Sequence, residues 1–145
     1  MLLKNLIFFS VLGLMAFSLA LTVPLRAQAP IAFDSVTEER LNAEGPITAA
    51  DLDYFLQFLA ASAEIFQKMD EDPHLNFEAE IAKFAQDHNV TIVRTRYLKE
   101  KVPYAIFLAR VKDPQKAPPA PVKYMELTPE ESQVIQDNLE KFRFY

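Results

Sequence analysis

The fold turns on one stretch, VTIVRTRYLKEKVPYAIFLARVK at residues 90–112. Its first part, Val90 to Tyr97, is rich in β-branched residues, which fit a strand. Tyr104 to Val111 offers a second strand, so the alternative reading is an α+β fold with a hairpin at 90–111. The turn this needs, Lys99-Glu100-Lys101, holds no Gly, Asn or Asp to take a positive φ. At helical spacing, Val90, Val93, Tyr97, Tyr104, Phe107, Leu108 and Val111 share one stripe, with Glu100 out of place. The stretch therefore reads as helix. Pro103 kinks or restarts it, because proline removes a backbone donor and crowds the preceding turn.

The segments on either side support the helical reading. Thr48-Ala-Ala-Asp51 is a capping box with Asp in place of Glu, flanked by Ile47 and Leu52 at the staple positions. Leu52, Phe55, Leu56, Leu59, Ala63 and Phe66 follow at helical spacing and read as core, with the helix ending near Met69. Asp72-Pro73 reads as the cap and first residue of the next helix. Phe77, Ile81, Phe84, Ala85 and His88 form its stripe, and Asn89 suits a left-handed end. Thr128-Pro-Glu-Glu131 is another capping box, followed by Val134, Ile135, Leu139 and Phe142 on one side. The expected fold is mostly α, a small single-domain bundle of four or five helices.

The division expected along the chain starts with a signal peptide or uncleaved anchor at 1–27 and a lead-in at 28–46, where Ser35 or Thr37 caps a short helix. A helical core at 47–112 follows, then a polyproline-like connector at 113–121 and a C-terminal helix at 122–145. Lys4, the uncharged run Leu6–Val23 and the small-residue stretch Ala27-Gln28-Ala29 have the order of a secretory signal. Cutting after Ala27 avoids placing Pro30 just past the cut. The run is also near the lower limit of about 17–25 residues for a membrane span, so an inner-membrane anchor is the alternative. Either way the remainder is expected outside the inner membrane, periplasmic or secreted.

The chain has 145 residues, a net charge of −5 and no cysteine. The lack of cysteine excludes disulfides, thiolate metal sites and thiol nucleophiles. Charge is segregated: residues 30–90 are mainly acidic, 91–123 mainly basic and 124–145 acidic again. One reading is internal complementarity. The other is a surface of Arg94, Arg96, Lys99 and Lys101, interleaved with Tyr97, that meets an acidic or anionic partner. Asp70, Asp72 and His74 are the metal-binding alternative, but they lack the glycine turn of a calcium loop and Pro73 interrupts any Glu-x-x-His helix. His88 reads as a packed histidine. Ser35, Ser62 and Ser132 lie in no glycine-flanked elbow. Phe142-Arg-Phe-Tyr145 reads as core packing of Phe142, or as a docking tail.

No cofactor, catalytic set or nucleic-acid partner is expected from these residues. The function expected is that of an exported, non-enzymatic cell-envelope protein acting by protein–protein contact, and the alternative is a periplasmic ligand- or metal-binding helical module. Membrane contact is expected only if the N-terminal segment stays uncleaved. Intact-mass measurement of the envelope-fraction protein should give residues 28–145. A full-length mass that stays with membranes through a carbonate wash would establish the anchor instead.

Overall fold

The computed structural model describes residues 32–145. Five α-helices follow in order: α1 (Glu38–Asn42), α2 (Ala49–Glu71), α3 (Phe77–Asp87), α4 (Ile92–Arg110) and α5 (Pro129–Asp137). Short 3-10 turns stand at Phe33–Ser35, Pro114–Lys116, Lys123–Met125 and Leu139–Phe142. There is no strand among the described residues. The leader or anchor expected at 1–27 lies outside them.

The deciding stretch is α4, not a hairpin. Thr91 caps it by accepting from the Arg94 amide at 3.0 Å. Placing β-branched residues in a helix costs only tenths of a kcal/mol each, against about 1.5–3 kcal/mol for burying one large apolar side chain. Thr95 also finds a partner here, because its hydroxyl lies 2.7 Å from the Tyr54 hydroxyl of α2. Pro103 sits inside α4, and the helix runs through it to Arg110.

The stripe expected on α4 is rotated in the structure. The buried residues are Thr95, Tyr97, Leu98, Lys101, Val102, Ala105 and Ile106, while Phe107 is 51% exposed. The reason is the number of neighbours. α4 is the central helix and packs against α1, α2, α3, α5 and the last 3-10 turn. A helix enclosed on several sides has no single apolar stripe.

α2 starts at the expected box, with Thr48 accepting from Asp51 and Asp51 from Thr48. It runs to Glu71, past Met69. Leu52 and Phe55 are buried as expected, but the rest of the inward face differs from the expected stripe. Tyr54, Phe58 and Ile65 are buried, whereas Ala63 is exposed and Phe66 is 56% exposed. Phe66 instead stacks on Phe77 at 4.7 Å.

Asp72-Pro73 does not open α3. Asp72 is the C-cap of α2, and Asn76 caps α3 by accepting from Ala79 at 3.0 Å. Asp72 is occupied by the turn, where it accepts from the His74 amide. α3 doubles back along α2, bringing Phe84 within 5.5 Å of Tyr54. Asn89 takes φ 55, the left-handed end expected of it.

Three segments differ in form from what the sequence suggests. The lead-in contributes to the core, with Phe33 and Leu41 buried. The connector begins with a 3-10 turn at Pro114–Lys116 rather than extending throughout. The C-terminal helix is a 3-10 turn, α5 and a second 3-10 turn, with Phe142 buried at the end.

Phe55→Ala should destabilise the protein by about 3–5 kcal/mol, because it empties the centre of the core. Phe66→Ala on the same helix should cost about 1 kcal/mol or less, since the ring is half exposed. Urea melts of both variants check this, and Leu59→Ala, at a partly buried site, should fall between them.

Candidate functional site

The site grows from the two capping boxes. In each, the third helical residue is an acid that accepts the cap's own backbone N–H. The Asp51 carboxylate accepts from the Thr48 amide at 2.8 Å, and Glu131 accepts from the Thr128 amide at 2.9 Å. Each of these acids then takes a cation from α4.

Arg94 forks onto Asp51, with Nε at 3.1 Å from Oδ1 and Nη2 at 2.6 Å from Oδ2. Its remaining donors reach the carbonyls of Gly45 and Pro46 at 2.6 and 2.7 Å, and Nη1 lies 3.5 Å from Glu44. A planar fork with several donors suits this crowded arrangement.

Lys101 lies seven residues further along α4, on the same face. Its ammonium is 2.8 and 2.9 Å from the two oxygens of Glu131, and the side chains are 4% and 1% exposed. It also donates to the Tyr97 hydroxyl at 2.8 Å, which in turn donates to Glu131 at 3.3 Å. The Ile47 amide donates to Glu131 at 2.8 Å. Every member of this buried group therefore has partners, the condition under which a buried charge pair is tolerated. The Tyr97 ring lies between the two cations, 4.9 Å from the Arg94 guanidinium carbon and 5.1 Å from the Lys101 ammonium.

Titration follows from these contacts. Burial alone would raise Glu131, but the Lys101 hydrogen bond and the Thr128 and Ile47 amides outweigh it and hold the carboxyl below its ordinary 4.5. Burial likewise opposes ionisation of Asp51, and hydrogen bonds from Arg94 and Thr48 bring it below 3.8. Burial, then the neighbouring Glu131 charge, push the Tyr97 phenol up. Tyr124 is pushed up to about 12, first by burial and then by its hydrogen bond to Glu100.

Above the buried pair is an open cleft of about 470 Å³ between α1, α4, the 3-10 turn at Lys123–Met125 and the start of α5. Leu41, Pro46, Tyr124 and Leu127 give it apolar walls, while Glu44, Glu126 and Glu130 line its edge with Lys123. A second cleft of about 600 Å³ lies beneath Ala117–Ala120, against Tyr104, Leu108 and Ile135. Its walls are mostly small side chains, and it shares Glu126 and Leu127 with the first.

The structure separates the four cations that sequence grouped as one surface. Lys101 is buried and is not a surface residue. Arg94 faces Asp51. Arg96 lies between Glu100 and Asp34, 3.1 Å from the latter. Lys99 is exposed, with its ammonium 4.8 Å from the Phe33 ring centre. Asp70, Asp72 and His74 are not brought together, and no group of three metal-capable side chains occurs among the described residues. His88 is held between the Phe84 carbonyl at 2.8 Å and the Gln57 amide at 3.1 Å. The Ser132 hydroxyl donates to the Thr128 carbonyl. Comparison with protein-family models, curated proteins and solved structures finds no match to this chain.

Sequence reasoning identified Glu131 as a cap and missed it as a buried charge. The available signal was Lys101 itself, which falls among the apolar residues Leu98, Val102 and Ala105 at helical spacing.

Glu131→Gln should cost about 3–5 kcal/mol at neutral pH, because it leaves the Lys101 ammonium buried without its counter-charge. Lys101→Met together with Glu131→Met should recover part of that loss. Glu131 and Asp51 are both lowered on folding, so their stabilisation is present above their ordinary values and is lost as pH falls through the lowered ones. Urea melts between neutral and acid pH should show wild-type stability falling below about pH 4.5. Glu131→Gln should show a shallower fall.

Proposed function

We propose that this is an exported, non-enzymatic protein of the cell envelope that works by binding another protein. The cleft over Lys101 and Glu131 takes an apolar segment of that partner bearing a basic residue. One observation carries the reading: a cleft with apolar walls has exposed carboxylates at its edge, on a base where each buried charge is already paired. A cation entering it meets Glu126 and Glu130 without disturbing the pair beneath. The export half rests on the order of charge, apolar run and small residues at the N-terminus. The basic stretch lends support from the other direction. Arg94, Arg96 and Lys101 are turned onto this chain's own acids, which leaves the outer surface more acidic than the sequence order suggests.

A small organic cation in the same cleft is the second reading, because its volume lies in the range of small-molecule sites, about 300–1,000 Å³. Native mass spectrometry separates the two, since a retained small molecule favours the second.

Glu126→Gln with Glu130→Gln should leave the melting curve unchanged, because both side chains are exposed. The pair should slow capture of the partner, most visibly at low salt, since edge charges act mainly on encounter rate and salt dependence. Affinity capture from envelope extract, compared between wild type and the double variant, measures this. Equal capture at every salt concentration would remove the cleft from the account.

A further inference from the structure

We infer that the connector between α4 and α5 is itself a ligand: its outward prolines, Pro118 and Pro121, dock into an aromatic-walled groove of another protein with acidic side chains at the rim. The stretch reads Ala117-Pro-Pro-Ala-Pro-Val-Lys123, and Ala117 to Val122 lie in no helix or strand. Its conformation is set locally. Each proline holds φ near its fixed value, and a residue before proline is kept out of the helical region. Ala117, Pro118 and Ala120 each precede a proline. The outcome is a left-handed polyproline helix with three residues per turn. Burial follows that period. Ala117 and Ala120, three apart, are partly buried, while Pro118, Pro119 and Pro121 are exposed. The alanines face the body, over the cleft of about 600 Å³. Pro118 and Pro121, again three apart, share an outward face, and Pro119 stands on another.

The ridge is held before any partner arrives. The Tyr104 hydroxyl donates to the Pro118 carbonyl at 3.0 Å, and the Met125 amide donates to the Val122 carbonyl at 3.1 Å. Little conformational entropy is then left to lose on binding. A proline ring offers apolar surface and no backbone donor, and two rings one turn apart fit shallow slots between aromatic side chains. Charge selects the rim. Residues 112–123 carry three lysines against one aspartate, on a chain of net charge −5. Lys116, with its side chain 82% exposed, and Lys123 stand at the two ends of the ridge. Acids beside the groove complement them. In this contact the chain is inserted, whereas the cleft over Lys101 and Glu131 receives, and the two are independent.

The chain contains no tryptophan. An isolated domain that binds Pro-x-x-Pro-x-Lys peptides in a groove containing tryptophan therefore reports binding without background. Titration with the full chain should shift its emission to saturation. Pro118→Ala with Pro121→Ala should weaken binding about tenfold or more, the effect of losing the central anchors of a contact. Both side chains are exposed, so the melting curve should stay in place. Pro119→Ala, on a different face, should leave binding nearly unchanged. Lys116→Gln with Lys123→Gln should weaken binding at low salt and much less at high salt, which tests the same contact without altering the proline backbone. Glu126→Gln with Glu130→Gln should not weaken it. Absence of binding overturns the inference. So does binding that survives loss of Pro118 and Pro121, or that falls equally with Pro119→Ala, because either removes the outward face from the contact. A synthetic peptide of residues 114–125 that binds where the full chain does not would overturn it as well, since the fold would then be covering the prolines.

Discussion

Two cations of one helix hold two helix starts by the carboxylates that cap them. Arg94 and Lys101 lie seven residues apart on α4, and each takes the acid that closes a capping box, Asp51 for α2 and Glu131 for α5. The same carboxylate thus does a local and a tertiary task. It satisfies a backbone N–H that the first turn leaves free, and it fixes where that turn sits on α4. A buried pair of this kind adds little net stability compared with apolar side chains of similar size. What it contributes is placement. A Glu131 shifted by one residue would face away from Lys101 and leave a buried ammonium unpaired, so this register is strongly preferred over its neighbours.

The charge segregation of the sequence acquires a meaning from this arrangement. The basic stretch sits in the middle of the chain because α4 sits in the middle of the fold, with acidic helices around it. Arg94 and Lys101 face inward, and Arg96 continues the pattern through Asp34 and Glu100 to Tyr124, whose hydroxyl donates to Glu100. Phe33 is covered by the side chains of Arg96 and Lys99, with Arg96 at 5.3 Å. The segment before α1 is thereby fastened to α4. The cleft lies where these fastenings leave a gap between α1 and the start of α5, so its walls are set by the same contacts that set the fold.

Much of the architecture was legible in the sequence because its signals are local. Thr48 and Thr128 with their acids three residues on, Asn89 after α3 and the missing turn residues near 99–101 each act within a few positions. The errors lie where tertiary packing decides. Asp72-Pro73 has the form of a helix start, but Asp72 is bound by its own turn and Asn76 takes that role. The stripes of α2 and α4 were assigned to one face each, whereas both helices have several neighbours and Phe66 and Phe107 turn outward. The site was less legible. Arg94, Arg96, Lys99 and Lys101 look alike in a sequence, and only the partner acids, 30 or more residues away for Arg94 and Lys101, tell a buried pair from a surface. The prolines after α4 were visible as a connector, but which of them face outward required the fold.

Hydrogen exchange at the amides of Ile47 and Thr128 tests the shared-carboxylate arrangement most directly. Both stand outside the α-helices and donate to Glu131 at 2.8 and 2.9 Å. If Glu131 holds them as described, both should exchange about as slowly as core amides of α4, opening only when the whole domain opens. Exchange at the rate of free turn amides would show that the carboxylate does not tie these segments together, and would contradict the account.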